Sequence, residues 1–251
     1  MKSILGPTGR NLIRSLAYTR TLFAFDFDGT LAPIVAVPDR ARIRAATLNL
    51  LNELNSRKDL AIISGRSIAD LKKRMGLEPR YVIGNHGLEG LPKSRFDLAE
   101  AQMTCEHWSQ AIERRLENPK EPGLWIEHKR YSLAIHYRHC KNKKKVRAGV
   151  LSCVESLSPK PRIIPGKDVI NVIPKEAPHK GFALQALMKE GKYEYALFVG
   201  DDDTDEDVFS LMDESILSIR IGKTLKSNAQ YYLKDQSEIN PFLKLLLENK
   251  A

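Results

Sequence analysis

The chain is most constrained by one short run near its start, Thr21-Leu22-Phe23-Ala24-Phe25-Asp26-Phe27-Asp28-Gly29-Thr30. Its first five residues are apolar, aromatic or β-branched, the mark of a buried strand. Gly29 breaks the run, and Pro33 keeps the chain irregular beyond it. Asp26 and Asp28 stand two residues apart at the carboxyl end, where period-two alternation leans both side chains the same way. Like charges that close repel, and one pKa rises unless a cation lies between them. The pair implies a bound metal, or an acid beside a nucleophile, or both. Turn chemistry alone also puts Asp and Gly at strand ends, so the rest of the chain has to decide.

The same punctuation recurs. Ala41 to Ser56 carries Ile43, Leu50, Leu51 and Leu54 at helical spacing, and Leu60-Ala61-Ile62-Ile63 is a second buried strand that runs straight into Ser64-Gly65-Arg66. A helix is expected from Ser67 to Met75 and a third strand at Tyr81 to Gly84. Strand, helix, strand, helix, strand is the grammar of a parallel, doubly wound sheet with right-handed crossovers. Ligands of such sheets sit beyond the carboxyl ends of the strands, near the switch point.

From about residue 90 the grammar changes. Leu98, Ala101, Cys105, Trp108, Ile112 and Leu116 mark a long amphipathic helix that Pro119 and Pro122-Gly123 break. Strands follow at Leu124 to Lys129 and at Tyr131 to Arg138, the second alternating cleanly. Another helix carries Val146, Val150, Val154 and Leu157, and strands at Arg162 to Ile164 and Asp168 to Ile173 flank a Pro165-Gly166 turn. Helix-strand-strand repeated twice predicts an antiparallel sheet under two helices, inserted as a separate domain over residues 90–175. The first grammar then resumes over 176–251, with a helix opening at Lys180, a strand at Ala196 to Gly200 followed by Asp201 to Asp207, a strand at Leu217 to Ile221 and a closing helix at Pro241 to Glu248. Residues 1–89 and 176–251 are thus read as one core. Residues 1–20 are read as a short helix with no chemistry assigned.

Composition narrows the classes. With 251 residues, 42% of them hydrophobic and 28% charged, the chain reads as an ordinary globular protein. No apolar run approaches the roughly 20 residues a membrane helix needs, and Met1 to Pro7 lacks the pattern of a secretory signal. Three cysteines without a Cys-x-x-Cys pair fit reduced thiols and give zinc no support. A cytoplasmic location and no membrane partner are therefore expected. The net charge of +9 fits nucleic acid, an anionic surface or an anionic small substrate. The Lys141 to Lys145 run has no aromatic nucleic-acid signature beside it, so a nucleic-acid partner is not expected. His107, His128, His139 and His179 show no metal-ligand spacing.

Asp26/Asp28, Ser64, Lys180 and Asp201/Asp205 all fall at strand ends or helix starts of the same sheet. Singly, Lys180 is a surface lysine and Ser64 a helix cap. Together they suit a phosphate site, with Lys180 neutralising charge and Ser64 donating to a phosphate oxygen. Oxygen-only acidic ligands beside phosphate favour Mg²⁺, and the N–H groups around Phe27 to Thr30 can form an anion-binding nest.

Asp26-Phe27-Asp28-Gly29-Thr30, Ser64-Gly65-Arg66, Lys180-Gly181 and Gly200-Asp201-Asp202-Asp203-Thr204-Asp205 resemble, in order and context, the four motifs of the haloacid dehalogenase (HAD) phosphohydrolases. The resemblance implies an α/β fold, with a HAD-like Rossmannoid core and an inserted α+β cap of the C2B type. It also implies Asp26 as nucleophile through an aspartyl-phosphate, Asp28 as general acid/base with its carbonyl on Mg²⁺, Asp26 and Asp201 as further ligands, and Asp202 and Asp205 close by.

Gly84 to Glu89 (with Asn85 and His86), Gly200 to Phe209, and in the insert Glu127-x-Lys129, Ser132 and His136-Tyr137-Arg138 are similar to trehalose-6-phosphate phosphatases within that superfamily. This implies an Mg²⁺-dependent hydrolase of a small sugar phosphate, with sugar contacts by Glu127 and Lys129 from one strand face; a monomer is expected, though the sequence does not set the oligomeric state. Arg66, Asn85, His86, His136, Arg138 and Asn171 would also meet the substrate. Asn171 stands where the family pattern usually has Glu, which leaves the sugar open. Another sugar or glycosyl phosphate, a sugar phosphomutase, and a catalytically silent module on the same fold are the alternatives.

Overall fold

A computed structural model of the chain describes residues 1–16, 18–92, 96–116, 121–166 and 168–248. The helix break expected at Pro119 lies outside them, as does Lys167. The chain forms two compact units, Met1–Lys93 with His179–Ala251, and Ser94–Pro178, so the joints lie three to four residues beyond the 89/90 and 175/176 expected from sequence.

In chain order the first unit contains β1 (Lys2–Ser3), α1 (Pro7–Leu16), β2 (Thr21–Phe25), α2 (Ala45–Asn55), β3 (Leu60–Ile63), α3 (Ile68–Met75) and β4 (Tyr81–Ile83). The second unit follows with α4 (Leu98–Leu116), β5 (Trp125–His128), β6 (Leu133–His136), α5 (Lys143–Glu155), β7 (Pro161–Gly166) and β8 (Val169–Pro174). The first unit then resumes with α6 (Lys180–Gly191), β9 (Tyr195–Gly200), α7 (Glu206–Phe209), β10 (Ile216–Ile221), β11 (Tyr231–Leu233) and α8 (Ile239–Glu248).

The seven strands of the first unit make one sheet in the order β1-β11-β10-β9-β2-β3-β4, every neighbouring pair parallel. All residues of β2 and β3 are buried, as apolar runs must be when both faces of a parallel sheet are covered. Alternation sorts them. Phe23, Phe25, Leu60 and Ile62 join Leu51, Leu54, Leu71, Phe242 and Leu243 of α2, α3 and α8. Leu22, Ala24, Ala61 and Ile63 join Leu184 and Leu187 of α6 and Phe209 of α7. From β2 the chain moves outward to β3 and β4, and β9 to β11 lie on the other side. The order reverses between β2 and β9, where Phe25 pairs with Val199 and where a doubly wound sheet opens its crevice.

The second unit is a four-stranded antiparallel sheet, β5-β6-β8-β7. Its core joins Trp108 and Ile112 of α4, Val150 and Val154 of α5, and Leu133, Ile135, Ile170 and Val172 of the sheet. Alternation puts Trp125, Glu127, Ala134, His136 and Asn171 on the other sheet face.

The structure differs from the sequence reading at several places. β6 spans only Leu133–His136, within the expected Tyr131 to Arg138, and the alternation holds in it, with Leu133, Ile135 and Tyr137 in the core of this unit and Ala134 and His136 on the other face. β5 stops at His128, because Arg130 takes a positive φ of 68° and the Tyr131 N–H closes a tight turn onto the Lys129 carbonyl at 2.9 Å. Helix α1 falls within the expected residues 1–20, but β1, β11 and α7 carry too few residues for a periodic signal.

Trp108 is fully buried and its Nε1 donates to the Pro159 carbonyl at 3.0 Å. Trp108→Ala should therefore destabilise the protein by about 3–5 kcal/mol in urea titrations followed by circular dichroism. A loss under about 1 kcal/mol would contradict this packing.

Candidate active site

Asp26 directly follows β2, and its N–H donates to the Val199 carbonyl at 2.9 Å, extending the pairing with β9 by one residue. Asp201 directly follows β9. Lys180 is the first residue of α6, a helix capped by His179, whose Nδ1 accepts the Phe182 N–H at 3.3 Å. Three elements distant in sequence thus deliver one cluster. Lys180 Nζ donates to Asp26 Oδ1 and to Asp205 Oδ1, both at 2.7 Å, with Lys180 2% exposed and Asp205 fully buried. The other oxygen of Asp205, Oδ2, accepts the N–H groups of Asp201 at 2.8 Å and Asp202 at 3.0 Å. The acidic run is therefore folded around Asp205 rather than dispersed in solvent. Asp202 is itself exposed and caps the following turn by accepting the Asp203 N–H at 2.8 Å.

Two glycines make the close approach possible. At Gly29 φ is +79°, and a Cβ would stand 2.1 Å from Asp201 Oδ2. A Cβ at Gly200 would stand 2.3 Å from the Asp205 carboxyl carbon. Thr30 Oγ1 donates to Asp201 Oδ1 at 3.3 Å. The Gly29 N–H, by contrast, is bonded to the Ala32 carbonyl at 2.8 Å, which removes it from the anion nest expected over Phe27 to Thr30.

Asp26 and Asp28 do not lean together, as the period-two argument expected, because the strand ends at Phe25. Asp26 turns to Lys180. Asp28 is gripped bidentately by Arg66, Nε to Oδ2 at 2.6 Å and Nη2 to Oδ1 at 2.7 Å. Arg66 also donates to Asp70 at 2.6 Å, and Arg74 donates to the other oxygen of Asp70 at 2.7 Å. Each aspartate of the first motif so has its own cation, and the charges alternate onto α3. Asp70 was missed by the sequence reading, although its i,i+4 spacing from Arg66 and to Arg74 was visible.

Ser64 follows β3, is buried, and its Oγ accepts the Arg66 N–H at 3.3 Å. Its carbonyl accepts the His86 N–H at 2.9 Å. Asn85 and His86 both have positive φ, and Asn85 Nδ2 donates to Glu89 Oε1 at 2.8 Å. In the second unit Glu127, Ala134 and Asn171 form one cross-strand row. Glu127 Oε2 bonds His136 Nε2 at 2.9 Å, and Asn171 Nδ2 donates to the Ile164 carbonyl at 3.4 Å. Lys129 lies just past the end of β5, where its N–H still donates to the Ser132 carbonyl at 2.9 Å. Arg138 lies past β6 and is half-buried.

The electrostatics follow from burial. Burial, with Asp205 and Asp202, pushes the Asp201 carboxyl up to about 7. Burial also raises Asp26, against the pull of Lys180. Burial alone would lower Lys180, but Asp205 and Asp26 overcome it and hold the ammonium firmly charged. Asp26, Asp201 and Asp205 each offer an oxygen within 4.8 Å of the others. Three hard carboxylates, two of them with pKa values raised first by burial and then by their carboxylate neighbours, fit a small divalent cation such as Mg²⁺. The Asp28 side chain stays outside that set.

A parallel sheet with this acidic cluster at its switch point is the core of the HAD fold. The solved C-terminal domain of the C. albicans trehalose-6-phosphate phosphatase is similar over 95% of this chain and 96% of its own, with a TM-score of 0.76 at 26% identity. A sequence model of the trehalose-phosphatase family matches residues 24–237. Trehalose-phosphate phosphatase B of Arabidopsis thaliana is 31% identical over 245 residues, covering 90% of this chain and 66% of that protein. The trehalose-phosphate phosphatase of Mycobacterium tuberculosis is 34% identical over 200 residues, 75% of this chain and 50% of that protein. The chain belongs to the trehalose-phosphatase family. It spans about two thirds or less of the length of these curated relatives. No helix among the described residues is long and apolar enough to cross a membrane.

The raised Asp201 carboxyl has a consequence for the metal-free protein. A carboxyl whose pKa is higher folded than unfolded stabilises fully below its unfolded value, near 4, and that contribution is lost as pH rises through about 7. With EDTA present, Tm should fall between pH 5.5 and 8, and millimolar Mg²⁺ should restore most of the loss at pH 8. A Tm that stays flat or rises with EDTA, or ignores Mg²⁺, would contradict the cluster.

Proposed function

We propose that the chain hydrolyses trehalose 6-phosphate to trehalose and phosphate, with Asp26 as the nucleophile. The observation that carries this reading is the buried Lys180 bridging Asp26 and Asp205 at 2.7 Å each. The family membership supports the same reaction. Phosphate monoesters are among the slowest substrates to hydrolyse in water, and capture by a carboxylate splits the reaction into two easier displacements. Lys180 fixes Asp26 Oδ1 and lowers the repulsion between carboxylate and phosphate dianion, which leaves Oδ2 to attack phosphorus. The bond from phosphorus to the sugar oxygen breaks as Asp28 gives that oxygen a proton. Water then attacks the aspartyl-phosphate, returns a proton to Asp28, and phosphate leaves with Asp26 regenerated. Mg²⁺ held by Asp26 and Asp201, beside Asp205, would supply positive charge against the phosphoryl oxygens.

Asp28 reaches its role by exchange of partners. Arg66 holds it bidentately, and a phosphate dianion competes for the same guanidinium fork. In this reading substrate draws Arg66 away and leaves Asp28 able to carry a proton. Ser64 donates to a phosphate oxygen, and Asn85 and His86 stand next to it through the Ser64 and Arg66 main chains. Glu127, Lys129, His136, Arg138 and Asn171 read the sugar hydroxyls. Asn171 is uncharged and its amide is turned to the Ile164 carbonyl, so a different sugar phosphate is the second reading. A silent binding module has no use for a buried lysine bridging two carboxylates.

Phosphate release from a panel of sugar phosphates with Mg²⁺ should favour trehalose 6-phosphate, and Asp26→Asn should lower turnover at least about 10³-fold with Tm little changed. Preference for another panel member would move the substrate to the second reading. An Asp26→Asn variant with wild-type rates would remove the nucleophile assignment.

A further inference from the structure

The chain has two tryptophans, and they are treated oppositely. Trp108 is fully buried, whereas Trp125, at the start of edge strand β5, is 46% exposed. Trp125 nonetheless has a partner on one face. It lies directly across from His136 in the sheet register, and the two rings stack in parallel with centroids 4.0 Å apart and planes 7° apart. His136 cannot turn freely, because its Nε2 bonds Glu127 Oε2 at 2.9 Å. Glu127 is two residues after Trp125 on the same strand and so shares its face. One face of the indole is covered by the imidazole, and the exposed area therefore belongs to the opposite face and the rim.

A fixed, flat apolar surface beside a carboxylate and an imidazole matches the chemistry of a pyranose ring. Such a ring has one face of C–H groups and a rim of hydroxyls, and aromatic side chains offer area at low entropic cost next to a few polar groups that fix orientation. We propose that Trp125 is a stacking platform for a glucosyl ring of the substrate, with Glu127 and His136 meeting its hydroxyls. This rests on the sugar-phosphate reading above and adds a specificity residue that the motifs do not contain. A saccharide on the platform gains by contact with the indole and by keeping water off it, and needs no charge to do so. Trp125 thus discriminates ring from non-ring phosphates, while the phosphate end is the same for both.

Two measurements on the full chain test this separately from the reaction. In steady-state kinetics, Trp125→Ala should raise KM for trehalose 6-phosphate about three- to tenfold more than KM for glycerol 2-phosphate, and Trp125→Phe should restore most of the difference. In fluorescence, trehalose added alone should shield the exposed tryptophan from acrylamide quenching, and Trp125→Phe, leaving only Trp108, should abolish the response. Shielding without turnover of any sugar phosphate would support the platform while removing the reaction. Equal KM changes on both esters, absence of shielding, or a Trp125→Ala loss explained by a lowered Tm would overturn the proposal. The last of these is the result expected if the Trp125–His136 stack only supports the edge strand, and the first if Trp125 docks a protein partner instead.

Discussion

The structure of the first unit depends on one buried cation. An ammonium removed from water is costly unless its partners are fixed and complete, and Lys180 is held by Asp26 and Asp205, 154 and 25 residues away in sequence. Removing Lys180 would leave two buried carboxylates without their shared cation. The same contacts decide where the helix, two strand ends and the acidic run must meet. The first residue of α6, the residue after β2 and the turn after β9 are locked to one point at the reversal of strand order. The sheet provides the crevice, and the lysine makes the acidic residues lining it compatible with burial.

A second consequence is the separation of the two aspartates of the first motif. Both are carboxylates, only two residues apart, yet Asp26 is 4% exposed with an ammonium on one oxygen, while Asp28 is more open and lies in the fork of Arg66. Different environments are how one residue type takes two roles in a site. Arg66 extends the arrangement through Asp70 to Arg74 on α3. Asp28 is therefore linked through Arg66 and Asp70 to α3, and Asp70 keeps Arg74 as a partner when Arg66 exchanges.

Much of the core was legible because its signals are local and repeated. β3 coincides with the Leu60 to Ile63 run, and β2, β4, β9 and α8 fall within a residue or two of their expected places, since parallel strands covered on both faces must be continuously apolar. Asp26, Ser64 and Asp201 were legible for the same reason, each standing directly after such a run, and Lys180 because it opens a helix. What the sequence could not show was which partner each takes. Period two was applied to Asp26 and Asp28 beyond the end of the strand that justifies it. β1 and β11 pair with each other through two residues, too few to carry a pattern. Trp125 passed unnoticed because a lone aromatic in a strand is ordinarily core, and only its exposure and its stack on His136 set it apart.

The central claim is that Lys180 keeps Asp26 competent to accept a phosphoryl group. Rapid-quench labelling with ³²P-labelled trehalose 6-phosphate and Mg²⁺ addresses it directly, with the labelled peptide identified after proteolysis. The account predicts a transient, base-labile label on the peptide containing Asp26 in the wild-type protein and its absence in a folded Lys180→Met variant. Turnover with no protein-bound label, a label on another residue, or undiminished labelling of Asp26 without Lys180 would contradict it.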